Sequence, residues 1–464
     1  MSKETSARKD KLFYKQKNGY DIIDAAEMKL CEDYCKGYMR YLNVSKTERE
    51  AVAEGIKLAE ARGFVPYTAG MKLAPGARVY VSNRGKALML AVIGSKTLDK
   101  GCVVAAAHVD SPRLDLKQVP MYEDNELCYF KTHYYGGIKK YQWLTIPLEL
   151  HGVVALKDGS LVEICIGKDK SDPIFQITDL LPHLGKEQRK KTAAEFVPGE
   201  SLNIIIGSVP DKEDVEGRTK LAILDLLNTK YGITEEDFLS AELSAVPAYE
   251  VREVGLDRSL IAGYGHDDRV CAYAELAAIL ELEIPEKTAV CILADKEEIG
   301  SEGVSGMKSG AFECFMDDMC ETQGVKLSHC FANSICISAD VTNAFDPNYP
   351  DVSEKRNAAK INYGLGICKF TGHGGKSESN DASAEVVAHL RRVFSENNVV
   401  WQMSELGKVD EGGGGTVAMY MAERNIDTID AGVPVLSMHA PYETVAKFDC
   451  YMTYKGIKAM YEEK

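Results

Sequence analysis

Two adjacent glutamates, Glu297 and Glu298, stand where the apolar run TAVCILAD gives out in DKEEIGSEG. Neighbouring carboxylates repel and prefer water, so an isolated Glu-Glu pair reads as a solvated loop. Here the pair has company. Three further apolar runs end on residues that ligate metals: VVAAAHVDSP with His108 and Asp110, ICISAD with Asp340, and PVLSMHAPYE with His439. Asp267 and Asp268, in YGHDDRVCAYAEL, stand immediately before a helical segment. One such end is ordinarily a helix cap or a satisfied polar group. Five in one chain, all of hard or borderline ligand type, point to a metal centre.

The set has the stoichiometry of a two-metal site. Two zinc-like ions need a few neutral imidazoles and several carboxylates, one of them bridging, because divalent ions ~3.5–4 Å apart require anionic charge between them. His108 and Asp110 are two apart on an extended strand and so share a face, which lets Asp110 hold the far imidazole nitrogen of His108 in the ligating tautomer. A glutamate beside a ligand glutamate has its own use. One carboxylate of raised pKa can take the proton of an activated water and then protonate a leaving amine.

These residues must be positioned by a scaffold, and the hydrophobic pattern describes one. ALMLAVIG (87–94) and GCVVAAAHVD (101–110) are continuously apolar, as strands buried on both faces of a helix-covered sheet are. Ahead of them, DIIDAAEMKLCEDYCKGYMRYL and SKTEREAVAEGIKLAEARG carry helical periodicity, with Ser45 and Glu48 as a capping box. From about Met121 to Val251 the texture becomes β-rich (YYGGIKKYQWLTIPLELHGVVAL, SLVEICIG, SLNIIIGSVP), broken by the charged loops KEQRKKTAAE and DKEDVEGRTK. The helix-and-strand rhythm then returns: RVCAYAELAAILELE, NDASAEVVAHLRRVF and TVAMYMAERN as helices, TAVCILAD, SICISAD and DAGVPVLSMH as strands. The expected fold is α/β, a mixed sheet flanked by helices, formed by 1–120 and 251–464 and split by a β-rich unit over 121–250.

Bulk composition agrees. At 464 residues, with 45% hydrophobic and 27% charged, the chain has the make-up of a globular protein of two domains or one large domain with an insertion. No apolar window reaches the ~18 residues of a membrane span. The formal charge of -15 argues against a nucleic-acid surface. MSKETSARKDKLFYKQ has no apolar signal region, and the thirteen cysteines are scattered through apolar segments without CxxC spacing, so a reduced, cytoplasmic protein is expected.

At the residues that carry the chemistry, the chain resembles the aspartyl aminopeptidase family, relatives of the dizinc aminopeptidases that assemble as tetrahedral dodecamers. The resemblance rests on ordered motifs: AAHVDSPRLDLK, HDDRVCAY, DKEEIGSEG, SADVTNAFDPNYP, KFTGHGGKSESNDASAE and LSMHAPYE. It implies one ion held by His108, Asp267 and Asp340 and a second by Asp267, Glu298 and His439, most simply Zn2+, with Co2+ or Mn2+ as alternatives. Asp267 would bridge, with the neighbouring Asp268 as the alternative; Glu297 would be the general base and Asp110 the orienter of His108. His183, in DLLPHLGKEQ, matches a histidine that the inserted dimerisation domain sends into a neighbouring subunit's site, where it polarises the scissile carbonyl. A loop histidine without a role is the competing reading. The implied activity is removal of one N-terminal residue from peptides by a hydroxide at the two-metal site, in a homododecamer.

The family's acidic preference requires a cation in the substrate pocket, and Lys376 in GHGGKSESND is the candidate, although its loop differs in spacing from forms where that preference is best understood. The same loop is not a phosphate-binding loop, since GxxxxGK[ST] needs Gly where Phe370 stands. The glycines of DEGGGGTVAMY suit close approach of backbone to a peptide or the metal site. Two other readings are distinguishable: a dimetal carboxypeptidase or deacylase would cleave N-blocked substrates, and a non-hydrolytic peptide-binding scaffold would turn over none.

Overall fold

The computed structural model describes residues 3–213 and 215–464; Met1 and Ser2 of the N-terminal stretch and Asp214 of the loop DKEDVEGRTK lie outside the described residues. Three sheets carry the architecture. The largest has nine strands, and its centre is four parallel neighbours, in spatial order Thr288–Ala294, Cys102–His108, Ile335–Ser338 and Asp427–Gly432. Register sets Ala294 beside His108 and Ser338 beside Ala106, so the carboxyl ends of these strands open on one edge.

The continuous apolar pattern has the expected cause. Along Cys102–His108, Val103, Ala105 and Ala107 enter one core, while Cys102, Val104 and Ala106 enter the other. The first core is closed by the helices Ala25–Val44, Glu48–Glu60, His266–Leu280 and Lys447–Tyr461. The second is closed mainly by Ala311–Thr322, through Phe312, Phe315 and Met319. Each fully buried large side chain contributes roughly 1.5–3 kcal/mol of transfer free energy, and strands with both faces engaged hold their ends rigidly. Among the described residues, no helix is long and apolar enough to cross a membrane.

The second sheet is antiparallel, six strands between Arg113 and Pro247, with its own core around Trp143, Phe130, Leu148 and Leu150. It also carries a helix, Arg218–Tyr231, that the β-rich reading of this stretch had not anticipated. Ile223, Leu224 and Leu227 pack against the sheet's core while Leu221 and Leu226 stay exposed, so the apolar residues do not mark out one clean helical face. The third sheet has five short strands, among them Leu260–Gly263, Pro434–Leu436 and Glu443–Ala446.

Two local expectations are corrected. The capping box of Glu48–Glu60 is Thr47 with Glu50, not Ser45 with Glu48: the Glu50 N–H donates to Thr47 Oγ1 at 3.3 Å and the Thr47 N–H to Glu50 Oε2 at 3.1 Å. Ser45 instead ends the preceding helix, its N–H donating to the Tyr41 carbonyl. DAGVPVLSMH is not one strand. The chain leaves the nine-stranded sheet after Gly432 and joins the five-stranded sheet at Pro434, since Pro434 has no N–H with which to continue a central ladder.

Candidate metal centre

The edge where the parallel strands end receives His108 from its strand's last position, Asp340 two residues beyond Ser338, and the Glu297–Glu298 turn three residues beyond Ala294. The five-stranded sheet delivers the rest. His439 follows Pro434–Leu436, and Asp267 follows Leu260–Gly263 at the start of the buried helix His266–Leu280. Asp267 and Asp268 depart from helical dihedrals and are joined by a cis peptide bond, so regular helix begins after them.

Asp267 lies between the two imidazoles. Its Oδ1 is 3.2 Å from His108 Nε2 and its Oδ2 is 3.1 Å from His439 Nε2. Asp340 Oδ1 lies 4.0 Å from His108 Nε2, and Glu298 Oε2 lies 3.6 Å from His439 Nε2. The ligand atoms thus form two groups sharing one residue, His108–Asp267–Asp340 and Asp267–Glu298–His439, each within 4.8 Å. Asp268 faces elsewhere: its Oδ2 accepts the His108 N–H at 3.3 Å, and its Oδ1 is buried without a partner.

Both histidines are oriented from behind. His108 Nδ1 is 3.0 Å from the Asp110 carbonyl and 3.3 Å from its Oδ1, while His439 Nδ1 is 2.8 Å from the Gly137 carbonyl. Each ring can donate from Nδ1 to oxygen, leaving Nε2 free as a metal ligand. Asp110 does more than orient His108. Its carboxylate accepts the backbone N–H groups of Glu297 and Glu298, both at 3.2 Å, and the Tyr135 hydroxyl at 2.7 Å.

That contact explains the Glu-Glu pair. Asp295 receives the Lys296 N–H and the Ser305 hydroxyl, and Lys296 takes a left-handed conformation at φ 65°. A short 3-10 turn follows, pinned on Asp110, and the two side chains diverge. Glu297 Oε2 lies 3.8 Å from His108 Nε2, whereas Glu298 turns toward His439. Gly136, at φ +73°, lets the chain pass close to Glu298: a Cβ there would stand 3.1 Å from Glu298 Oε2.

Electrostatics sharpen the picture. Burial pushes the Glu297 carboxyl up to about 7, and burial likewise raises Glu298, Asp340 and Asp268 well above the carboxylate range. Burial would raise Asp267 too, but its contacts with His108 and His439 bring it below its ordinary value. Burial alone would lower His439, yet Asp267 carries it up to about 11. The donor set therefore fits divalent cations: carboxylates in excess of local positive charge, two imidazole nitrogens facing inward, and Glu298 Oε1 buried without a partner.

Of the other expected site residues, His183 lies in an exposed loop beyond the strand Leu161–Ile166 and makes none of the centre's contacts described above. Lys376 is paired with Asp381 at 3.1 Å and lies over the Phe370 ring, 4.1 Å from its centroid. Two functional contacts went unread in the sequence. Glu443 accepts the Asp267 N–H at 3.1 Å and the His439 N–H at 2.7 Å, coupling the two sides of the centre, and its only signal was an acid four residues after His439. Tyr135, from the six-stranded sheet, left no signal. Beside His439 a cleft of about 570 Å³ opens, lined in part by Ile138, Lys139, Tyr141, Tyr349 and Met438.

The sequence profile of the family described as aminopeptidase I zinc metalloprotease (M18) matches residues 41–461. The chain is 48% identical over 457 residues to a probable M18 family aminopeptidase 1 of Clostridium acetobutylicum, covering 97% of this chain and 98% of the other. An M18 aminopeptidase crystal structure from Thermotoga maritima superposes with a TM-score of 0.93 at 44% identity, covering 97% of this chain and 100% of that one. A more distant structure, the mApe1 dodecamer of S. cerevisiae, is 21% identical with a TM-score of 0.74 over 92% of this chain and 96% of that one, a likeness of fold.

Proposed function

The chain belongs to the M18 family of zinc metallo-aminopeptidases, and from that premise we propose which of its residues perform the hydrolysis of N-terminal residues from peptides. Two divalent ions, zinc in the simplest case, are held by His108, Asp267 and Asp340 and by Asp267, Glu298 and His439. The observation that carries this reading is the position of Asp267, with one carboxylate oxygen toward each imidazole Nε2. It favours Asp267 over Asp268 as the bridge. Bound there, the ions supply Lewis acidity toward a water and the scissile carbonyl.

The chain's own residues do the rest. Glu297 takes the proton of the attacking water and delivers it to the departing amine, a role suited to a mostly buried carboxyl raised to about 7. Asp110 holds His108 and the Glu297–Glu298 turn in one piece. Glu443 fixes the backbone of Asp267 and His439. The peptide lies in the cleft beside His439, with walls drawn from both the six-stranded sheet's loop around Ile138 and the loop around Tyr349.

Further parts of the reading follow. Residues 121–250 act as an inserted dimerisation domain, and the subunits assemble, by analogy with the dodecameric yeast structure, into a homododecamer in which His183 serves a neighbouring subunit's site. The protein works in the cytoplasm on peptides and binds neither nucleic acid nor membrane. Preference for acidic N-termini requires Lys376 to exchange Asp381 for a substrate carboxylate.

The test is a panel of aminoacyl reporter substrates with free and blocked amino groups, run on the zinc-loaded protein and on Glu297→Gln. Free-amino substrates are expected to turn over and blocked ones to be refused. The variant should keep its zinc while kcat falls on the order of 10²–10⁴-fold. Near-normal turnover in the metal-loaded variant would remove Glu297 from its role, and cleavage of blocked substrates would favour a carboxypeptidase or deacylase.

A further inference from the structure

A second group of ligating side chains lies away from the centre, where the helix Glu48–Glu60 meets the six-stranded sheet. Glu50 comes from the helix's first turn, His151 from the strand Leu148–Ala155 and Cys165 from Leu161–Ile166. One ligand atom from each falls within 4.8 Å of the others. His151 Nδ1 is 3.0 Å from Glu50 Oε1 and 3.8 Å from Cys165 Sγ. The ring is buried, and its other nitrogen, Nε2, makes no hydrogen bond but lies 3.4 Å from Glu149 Oε1.

That arrangement matches how metal-ligating histidines are built. A carboxylate beside Nε2 favours a proton there and leaves Nδ1 for the ion, a looser counterpart of what Asp110 and the Gly137 carbonyl do from the opposite nitrogen in the main centre. Glu50 is divided by oxygen: Oε2 receives the Lys46 and Thr47 N–H groups of the capping box, while Oε1 faces His151. Binding at Oε1 therefore leaves the helix cap intact. We propose that Glu50 Oε1, His151 Nδ1 and Cys165 Sγ form a second, thiolate-containing site for one zinc-class divalent ion, which clasps the helix Glu48–Glu60 to the six-stranded sheet.

A thiolate, an imidazole and a carboxylate are the donor types zinc takes, and three of them leave one tetrahedral position open. Positive charge now comes from Lys168, with Nζ 3.2 Å from Glu50 Oε1, and from His151, which burial would lower but which its contacts with Cys165, Glu149 and Glu50 carry up to about 11. The Lys168 side chain is 40% exposed, so it yields that place by rotating into solvent. Coordination releases the thiol proton of Cys165 and any proton on His151 Nδ1 to solvent, so affinity rises with pH. The site does not depend on the peptidase assignment.

Cobalt(II) distinguishes the two sites, because the proposed ligands of the main centre include no cysteine. The purified full-length protein is titrated with cobalt(II) while the near-ultraviolet thiolate-to-cobalt charge-transfer band is followed, in the wild type, in Cys165→Ser and in Cys314→Ser. Cys165 and Cys314 are the exposed cysteines, so both substitutions spare the core. The band is expected in the wild type and in Cys314→Ser, displaced by excess zinc and absent from Cys165→Ser, which also retains one fewer zinc per chain after dialysis. A wild type without the band, or a band that survives Cys165→Ser, overturns the proposal. Glu297→Gln keeps the band whether or not the peptidase reading holds, so the two failures are separable.

Discussion

Buried charge is concentrated in two regions, and they are balanced differently. At the seam between the helix Glu48–Glu60 and the six-stranded sheet, protein cations meet protein anions: Arg113 with Glu48 and Asp115, and Lys46 with Glu149. At the strand ends, Asp110, Asp267, Asp340, Glu297 and Glu298 lie within 4.0 Å of two imidazoles, with Asp268 and Glu443 on the backbone beside them. These pairs are electrostatically complete as a polypeptide at the seam. The strand-end centre is not, and a surplus of largely buried carboxyl groups must be neutralised from outside, by bound cations or, without them, by protons. Charge surplus, rather than charge density, separates the strand-end centre from these ion pairs.

The largest expected break in that contrast is metal removal. Dialysis against a chelator should reduce aminopeptidase turnover to background and lower the thermal midpoint, with both restored by zinc; full activity in metal-free protein would sink the comparison. Next is Asp267→Asn, which removes the anion between the two imidazoles. Turnover at saturating zinc should fall on the order of a thousandfold, equivalent to several kcal/mol of transition-state stabilisation. Wild-type rates in that variant would move the bridge elsewhere, with Asp268 the first alternative.

Asp110→Asn should act at one remove. With the support behind His108 and the Glu297–Glu298 turn weakened, metal affinity or activity should drop by about 10–100-fold, read as zinc retention against a competing chelator. A loss of fold instead, seen by circular dichroism, would recast Asp110 as structural.

The smallest effect belongs to the balanced side. Glu242 bonds Lys86 and Arg49 across the same seam. Burial raises its carboxyl, but those two cations outweigh burial and hold it down to about 2. A carboxyl depressed on folding contributes stability that is fully present above its ordinary value of 4.5 and is lost as pH falls toward 2. With half of the side chain exposed, Glu242→Gln should cost only about 0.5 kcal/mol near neutrality. It should cost nothing near pH 2, as denaturant titrations at the two pH values would record.

Much of the candidate centre was legible because ligand-type residues at strand ends leave a one-dimensional trace. His108, Asp340 and the Glu297–Glu298 pair each follow an uninterrupted apolar run, and a run buried on both faces has little freedom in where it stops. Helix caps were less legible. Ser45 and Thr47 both offer a hydroxyl three residues before a glutamate, and only the packing of two helices separated by Ser45, Lys46 and Thr47 selects Thr47 with Glu50. The helix Arg218–Tyr231 was missed because its apolar residues, with Leu221 and Leu226 left exposed, do not mark out one clean face.

By itself, the sequence determined the α/β class and the strands that end in ligand-type residues, because burial and residue chemistry are local demands. Tertiary structure decided which atoms meet. It carried Pro434–Leu436 into a different sheet from Asp427–Gly432, brought His439 across from Asp340, and set Asp267 between two imidazoles supplied by separate sheets. It also placed Tyr135 on Asp110 and Glu443 on the Asp267 N–H, contacts that no short spacing encodes. Distances across sheets depend on register, sheet order and helix packing together, and these are properties of the assembled core rather than of any segment.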